Sequence, residues 1–128
     1  MTRPETAIVL FAHGSSVESA NDAVREVGRR MARESGWRVE TAFLDGGTPD
    51  LAGAVGELAA GGVNRVVVVP YFLTTGLHLQ RDLPMLVRQV MERHPKVLVE
   101  VTPPLDGHPA LVEILLDRAA TAMTEVDR

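Results

Sequence analysis

The chain contains no cysteine, so it can form neither a disulfide framework nor a thiolate metal site. It has no apolar run near the ~18–20 residues that a helix needs to cross a bilayer. It also lacks a positive balance of charge: the net charge is −4 at pH 7, which disfavours non-specific binding to nucleic acid. The first residues do not have the pattern of a signal peptide. We therefore expect a cytoplasmic protein with no membrane and no nucleic-acid partner.

The composition is that of an ordinary globular protein. Of the 128 residues, 45% are hydrophobic and 23% are charged, and this length suffices to bury one core. The sequence contains no internal repeat, low-complexity tract or linker. It therefore predicts a single domain over residues 1–128.

Four short segments have the length and composition of β-strands. The clearest are residues 7–12, an unbroken apolar run typical of a strand that is buried on both faces, and residues 65–70, whose four consecutive valines suit the centre of a parallel sheet. Residues 37–44 alternate in part between apolar and polar side chains. Residues 97–101 complete the predicted set.

The segments between and after these strands have apolar residues at the spacing of an α-helix. We place helix N-caps at Ser19, Thr48 and Asp82, since these residue types cap helices well and precede apolar stripes. The fourth helix is predicted over residues 108–123. The residues expected to face the sheet are Ala20, Ala23, Val24, Val27 and Met31, then Leu51, Ala54, Val55 and Leu58, then Leu83, Leu86, Val87 and Val90, and finally Leu111, Ile114, Leu115, Ala119 and Ala122.

This alternation predicts an α/β fold: a parallel four-stranded sheet with helices on both faces. A flavodoxin-like strand order, 2-1-3-4, places strands 1 and 3 side by side and obeys the right-handed crossover rule. Ligands of such sheets bind beyond the carboxyl ends of the strands, where the order reverses. His13 follows strand 1, and His78 follows strand 3 on a glycine-containing loop. Both are expected at this edge, with Asp45 after strand 2.

Imidazole binds divalent metals and is a base near neutral pH. Across one cleft, His13, His78 and Asp45 could therefore bind a divalent metal or remove protons from a substrate. Each also has a plain structural interpretation. The histidines would then be loop residues satisfied by backbone groups, and Asp45 would form the turn before Gly46.

Possible anion-binding groups lie on the same loops. The backbone N–H groups and hydroxyls of Gly14-Ser15-Ser16 could hold a carboxylate or a phosphate, although the Gly-Lys-Ser/Thr signature of a P-loop is missing. Thr74, Thr75 and Arg81 could contact an anionic ligand from the loop after strand 3. A plain turn and ordinary exposed polar side chains explain the same residues.

Four motifs together resemble the sirohydrochlorin chelatase family of the CbiX/SirB type. They are Ala12-His13-Gly14-Ser15; Ala42-Phe43-Leu44-Asp45; Val69-Pro70-Tyr71-Phe72-Leu73 with Gly76, His78, Asp82 and Pro84; and Pro103-Pro104-Leu105 with His108-Pro109 and Leu111. The resemblance covers roughly residues 7–119. It implies a chelatase-like α/β fold and the insertion of Co²⁺ or Fe²⁺ into sirohydrochlorin, toward cobalamin or sirohaem.

The resemblance also implies roles for individual residues. The family's two active-site histidines fall on His13 and His78, which would hold the metal and accept protons, and Asp45 stands where the family commonly has Glu. The metal is a substrate, and no organic cofactor is implied. This chain resembles one half of the longer family members, so the resemblance implies either a homodimer that encloses the tetrapyrrole or one domain of a larger protein. The residues expected to anchor its carboxylates are Ser15, Ser16, Thr74, Thr75 and Arg81.

Two other functions stay open at the level of sequence. In the first, His13 is the nucleophile of a phosphoryl transfer and the Gly14-Ser15-Ser16 loop holds the phosphate. That reaction requires several arginines near His13, and the strand-end loops offer Arg81. In the second, the protein is a catalytically silent module that binds a tetrapyrrole or a metal. An assay of turnover distinguishes this module from an enzyme.

Overall fold

Strands and helices alternate along the chain, as the apolar segments predict. The computed structural model describes residues 5–74 and 76–126, and the side chains of Leu77, His78, Glu125 and Val126 are outside that description. The elements are β1 (Thr6–Ala12), α1 (Glu18–Ser35), β2 (Val39–Phe43), α2 (Leu51–Ala60), β3 (Arg65–Pro70), α3 (Gly76–Arg93), β4 (Leu98–Val101) and α4 (Ala110–Val126).

The four strands form one parallel sheet in the order β2-β1-β3-β4. β1 is central and pairs along its length with both β2 and β3, while β4 pairs with β3. The predicted parallel sheet and its strand order are therefore confirmed. Because all four strands run in the same direction, the loops that follow β1, β2 and β3 meet at one edge of the sheet.

One face of the sheet, which we call the core face, carries the main hydrophobic core. Alternate residues of β1 are wholly buried there, and so are Val66 and Val68 of β3. The α2 and α3 helices cover this face, because parallel strands need apolar partners on their surfaces. The buried side chains that these two helices add to the core are Leu51, Ala54, Val55, Leu58, Leu79, Leu83 and Val90.

The opposite face, which we call the α1 face, is covered by α1 over β1 and β2. Leu10 of β1 is buried there. Gly28 lets the helix approach closely, since a Cβ at this position would lie 2.8 Å from the Thr41 hydroxyl oxygen. Small residues at such crossings determine how closely a helix packs on a sheet.

The same face is less well covered over β3 and β4. Val67 and Val69 pair with Ile8 and Leu10, so they share the α1 face, but both remain half-buried. Leu98 of β4 is 50% exposed on this side. The outer half of the α1 face therefore presents these apolar side chains to solvent beside the exposed ion pair of Arg65 and Glu100, which lies on the same face.

Two predicted helix starts are wrong by two residues. α1 has Val17 at its N-cap instead of Ser19. α2 has Asp50 instead of Thr48, and the Asp50 carboxylate accepts the Gly53 N–H at 2.8 Å. Both segments contain several neighbouring polar residues. In α2 the sequence pattern does not show which of them takes the extended backbone that an N-cap requires, and in α1 that backbone is taken by Val17, which makes no side-chain cap bond.

The start of α3 is a larger correction. The helix begins at Gly76 rather than after Asp82, so His78 lies in its first turn and not on a loop. Leu79 is buried in the core, which extends the inward face of the helix toward its N-terminus. Pro84 lies inside the helix, where proline costs about 3 kcal/mol. The helix nevertheless continues through this residue, so the proline was a misleading start signal.

The inward stripe predicted for α4 is wrong. The helix begins at Ala110, and every residue from Val112 to Thr124 is exposed. Part of the α1 stripe is exposed as well, namely Ala20, Ala23 and Val27. Within residues 5–74 and 76–126, none of the helices is both long enough and apolar enough to span a membrane.

Candidate active site

His13 leaves the carboxyl end of β1 as an exposed side chain at the edge of the sheet. Its imidazole packs against the ring of Phe72, with 5.0 Å between ring centroids. Phe72 follows β3 and meets Phe11 edge-on at 6.3 Å. The buried end of β1 therefore supports Phe72, and Phe72 limits the orientations of the His13 ring.

Asp45 follows β2 and lies beside the His13 loop. Its backbone N–H donates to the carbonyl oxygen of His13 at 2.9 Å. Its Oδ1 accepts the N–H of Gly46 at 2.8 Å, which is the turn-forming role that the sequence also suggested. The two loops touch directly at Gly14, where a Cβ would lie 1.6 Å from the Asp45 carbonyl oxygen. The structure thus brings His13 and Asp45 to one edge.

Asn21 fixes these two loops to each other. Among the described side chains it is the one polar side chain that is buried, at 1% exposure. Its Oδ1 accepts the N–H of Ser15 at 2.9 Å, and its Nδ2 donates to the carbonyl oxygens of Ser15 (2.9 Å) and Gly46 (3.0 Å). A buried amide with all these bonds specifies one relative position of the two loops.

Sequence analysis did not single out Asn21. A signal was present, because Asn21, Val24 and Gly28 recur at helical spacing and form the side of α1 that faces the sheet. An asparagine at an inward position must find hydrogen-bond partners. Its partners come from two loops that are distant in sequence, so the pattern could not identify them.

A salt-bridge network lies next to Asn21, which clamps the loops after β1 and β2 together. Arg25 pairs with Glu18 and Asp22, and its guanidinium also donates to the Thr48 carbonyl oxygen at 3.1 Å. It lies over the ring of Phe43, 5.0 Å from the centroid. The hydrogen bond from Arg25, followed by that from Asn21, lowers the pKa of Glu18. Arg25 therefore holds α1 to the loop after β2 and is engaged in internal contacts.

The structure describes the positions of some, but not all, of the remaining predicted site residues. Ser16, Thr74 and Arg81 are exposed, with Arg81 on α3 instead of on a loop. Thr75 lies outside the described residues. The backbone of His78 is in the first turn of α3, and its side chain is not among those described.

The anion-binding hypothesis for the first loop is weakened. The Ser15 N–H donates to Asn21, and the Ser15 Oγ accepts the N–H of Val17 at 3.0 Å. These groups stabilise the loop internally. Among the side chains that the structure describes, no group of three His, Asp or Glu residues is arranged to hold a metal ion.

We expect Asn21→Ala to lower the free energy of unfolding by about 2–3 kcal/mol, because it leaves the Ser15 N–H and two carbonyl oxygens without their partner. Urea denaturation measures this change. Ser19→Ala, an exposed change on the same helix, is the control and should stay within about 0.5 kcal/mol of the parent. Equal effects of the two changes would contradict the role of Asn21 as a clamp.

Comparison with known proteins adds independent findings. The model of the CbiX family matches residues 7–122. A sirohydrochlorin cobaltochelatase from Methanothermobacter thermautotrophicus is 26% identical over 136 residues, which cover 94% of this chain and 95% of that protein. The chloroplastic sirohydrochlorin ferrochelatase of Arabidopsis thaliana is 27% identical over 121 residues, and the match spans 54% of its length. A crystal structure of a CbiX protein from Marinobacter aquaeolei VT8 has a TM-score of 0.87 at 25% identity, covering 98% of this chain and 100% of that one.

Proposed function

Because the chain belongs to the CbiX family, we propose that it inserts Co²⁺ or Fe²⁺ into sirohydrochlorin, in the biosynthesis of cobalamin or sirohaem. The observation that carries the proposal is the position of the two histidines. His13 follows β1, His78 follows β3, and these strands are neighbours in the sheet. The similar proteins named above include both a cobaltochelatase and a ferrochelatase.

Insertion exchanges two pyrrole protons for one divalent cation. Two N–H bonds break, bonds form between the metal and the pyrrole nitrogens, and two protons pass to a base and then to water. The protein must therefore deliver a partly dehydrated cation and accept protons at the same edge. Imidazole suits both tasks, since it is a ligand for Co²⁺ and Fe²⁺ and a base near neutral pH.

We assign these tasks to His13 and His78. A ring nitrogen that binds the metal has no lone pair left for a proton, so one histidine delivers the cation while the other acts as the base. Packing against Phe72 holds the His13 ring at the edge of the sheet, which reduces the entropy lost when it meets the substrate.

Asp45 and the polar residues around it have supporting roles in this proposal. The Asp45 carboxylate lies on the loop next to His13 and adds negative charge, which favours an approaching cation. Ser16, Thr74 and Arg81 are exposed and can reach the carboxylates of the tetrapyrrole. Ser15 contributes mainly through its bonds to Asn21. Thr75 remains part of the proposed anchor on sequence grounds.

We further propose that this unit acts as a cytoplasmic homodimer. The chain spans nearly the whole length of the archaeal cobaltochelatase but about half of the plant ferrochelatase. A second copy would supply the other wall of a cleft large enough for a tetrapyrrole. The edge that carries His13 is open to solvent and offers room for it.

A spectroscopic insertion assay tests the function. Purified protein is mixed without air with sirohydrochlorin and either Co²⁺ or Fe²⁺, and the absorbance change is followed against the spontaneous reaction. We expect insertion faster than the spontaneous rate with at least one metal, and the ratio of rates ranks the two metals. A folded protein that gives the spontaneous rate with both metals would contradict the proposal.

The assay also distinguishes an enzyme from a silent binding module, and the structure bears on the phosphoryl-transfer alternative. A silent module would bind the tetrapyrrole in the same cuvette without accelerating insertion. Phosphoryl transfer through His13 is disfavoured by the contacts in its loop. The Ser15 N–H that would hold a phosphate is bonded to Asn21, and Arg25 is paired with two carboxylates.

A further inference from the structure

The loop that follows β4 carries His108, a histidine outside the pair that the proposed function uses. The loop occupies residues 102–109, between the end of β4 and the start of α4. Because β4 is parallel to the other strands, the loop emerges at the same edge of the sheet as His13. The order β1-β3-β4 places its start about 10 Å from the end of β1, since neighbouring strands lie about 4.8 Å apart. His108 is exposed, so it is a candidate contact for a substrate that reaches His13.

Backbone hydrogen bonds hold this loop against the loop that follows β3. The N–H groups of Leu105 and Asp106 donate to the carbonyl oxygens of Phe72 and Leu73, at 3.2 and 2.7 Å. The ring of Phe72 in turn packs against the imidazole of His13, with 5.0 Å between ring centroids. The loop after β4 is therefore connected to the candidate active site by direct contacts.

A hydrogen bond determines which nitrogen of His108 carries a proton. The backbone N–H of Ala110 donates to His108 Nδ1 at 3.0 Å. An N–H group donates only to a nitrogen with a free lone pair, so Nδ1 is unprotonated and the neutral ring carries its proton on Nε2. While this bond is intact, neither nitrogen can bind a metal or accept a proton. His108 is therefore a hydrogen-bond donor, in contrast to the tasks proposed for His13 and His78.

The two bonded loops present this donor together with an apolar side chain. Among the described residues, the Nε2–H group of His108 has no hydrogen-bond partner. Leu73, whose carbonyl oxygen is bonded to the loop after β4, is 61% exposed. A matching ligand has an apolar body and hydrogen-bond acceptors at its periphery. A tetrapyrrole with peripheral carboxylates has both.

We propose that His108 anchors the tetrapyrrole by donating from Nε2 to one of its peripheral carboxylates, while Leu73 contacts the apolar macrocycle. The inference rests on the proposed function, because it names a further substrate contact at the same edge. A macrocycle whose centre lies over the ends of β1 and β3 extends toward the loop after β4. A hydrogen bond to an ionised acceptor is stronger than one between neutral groups, so one such donor orients the substrate.

The fixed position of the His108 ring makes this donor effective. The ring is held by its bond to Ala110, and the backbone N–H of His108 donates to the Leu105 carbonyl oxygen at 3.1 Å. Groups that are ordered before binding lose little entropy when the substrate arrives. The loop has no general attraction for anions, since Asp106 is an exposed carboxylate. Recognition therefore depends on the placement of the His108 donor.

His108→Asp separates substrate binding from the support that His108 gives to the start of α4. An aspartate directly before Pro109 accepts the N–H two residues further on, so the bond from Ala110 is kept and the midpoint of urea denaturation should be nearly unchanged. The aspartate has no donor and repels a carboxylate. We expect the Kd for sirohydrochlorin, measured by anaerobic absorbance titration without metal, to rise about 10-fold or more. Binding equal to that of the parent would overturn the proposal.

Two further variants control for charge and test the apolar contact. Gln89→Glu adds one negative charge with little change of shape at an exposed position, about 20 Å along α3 from Gly76. Its Kd should stay within a factor of about 2 of the parent, and a loss equal to that of His108→Asp would overturn the role of His108. Leu73→Ala should raise the Kd about 5-fold through lost apolar contact. An unchanged Kd would overturn the contact assigned to Leu73.

Nitrogen NMR tests the protonation of the ring directly. Long-range ¹H–¹⁵N correlation spectra resolve the four histidines of the chain, and the signals lost in His108→Asp identify His108. We expect the tautomer protonated at Nε2, with an Nε2 signal that shifts when sirohydrochlorin is added without metal. A ring protonated at Nδ1, or an Nε2 signal that saturating sirohydrochlorin leaves unchanged, would contradict the assignment.

These measurements involve no metal and no turnover, so they are independent of the chelatase assay. A parent that accelerates insertion, with His108→Asp binding as the parent does, would refute the anchor alone. A parent that binds through His108 but gives the spontaneous rate would refute the chelatase alone. If both proposals hold, His108→Asp should raise the KM for sirohydrochlorin about 10-fold and keep kcat within a factor of about 3, since His108 transfers neither a proton nor the metal.

Discussion

We expect His13→Ala to lower the rate of metal insertion above the spontaneous reaction by about 100-fold or more. Loss of a positioned general acid or base typically costs a factor of 10² to 10⁴, and loss of a metal-delivering imidazole acts in the same direction. His13 is exposed, so its removal should leave the stability of the fold nearly unchanged. The measurement is the anaerobic insertion assay, supported by a thermal unfolding curve for each protein.

A second histidine provides the matched control for this change. His94 follows α3 at the end opposite to His78, is half-buried, and donates its backbone N–H to the Val90 carbonyl oxygen. His94→Ala removes the same side chain and should keep the insertion rate within a factor of about 2, since it lies far from the proposed chemistry. If His13→Ala retained parent activity while folded, His13 would not be catalytic, although the chain itself could still be a chelatase.

The second large effect is expected at Gly14. Gly14→Ala should lower the free energy of unfolding by about 3 kcal/mol or more and also abolish insertion above the spontaneous rate. Its φ of +88° lies in the left-handed region, and the new Cβ would lie 1.6 Å from the Asp45 carbonyl oxygen. Backbone cannot give way as a flexible side chain can, so the His13 and Asp45 loops must move apart. Urea denaturation and the insertion assay measure the two consequences.

Gly36→Ala isolates the contribution of backbone conformation. Gly36 has a similar φ of +76° at the end of α1, and apart from its own chain neighbours no atom of the described residues meets a Cβ placed there within 4 Å. The change should cost about 1–2 kcal/mol, which is the strain of a left-handed alanine alone, and should spare the insertion rate. A Gly14→Ala variant no less stable than Gly36→Ala would contradict the close approach of the two loops.

The apolar pattern identified the sheet and the edge at which a site would form. Residues 7–12 and 65–70 correspond to β1 and β3 almost residue for residue, because runs of apolar, β-branched residues of that length are typical of strands in a parallel sheet. Given the parallel order, His13 and Asp45 had to emerge at one edge. The resemblance of the loop motifs then indicated the chelatase family, and the match to the CbiX family over residues 7–122 confirms it.

Helix boundaries were less predictable, for a physical reason visible at α3. Asp82 and Pro84 are good local start signals, but the burial of Leu79 in the core begins the helix at Gly76. An N-cap such as that predicted at Asp82 contributes about 1 kcal/mol, whereas burial of a leucine contributes about 2 kcal/mol. Tertiary packing therefore moved His78 from a predicted loop into the first helical turn.

The sequence by itself determined the class of fold, since period and apolar content depend on neighbouring residues only. The strand order was inferred from that class and is confirmed by the structure, and it places His13 and Asp45 at one edge of the sheet. The tertiary structure alone revealed Asn21 as the clamp between two loops, because its partners Ser15 and Gly46 are brought together by the sheet. It alone also showed that α4 is apolar without being covered. An apolar stripe predicts that a helix packs against another apolar surface. Only the three-dimensional packing decides which surface that is.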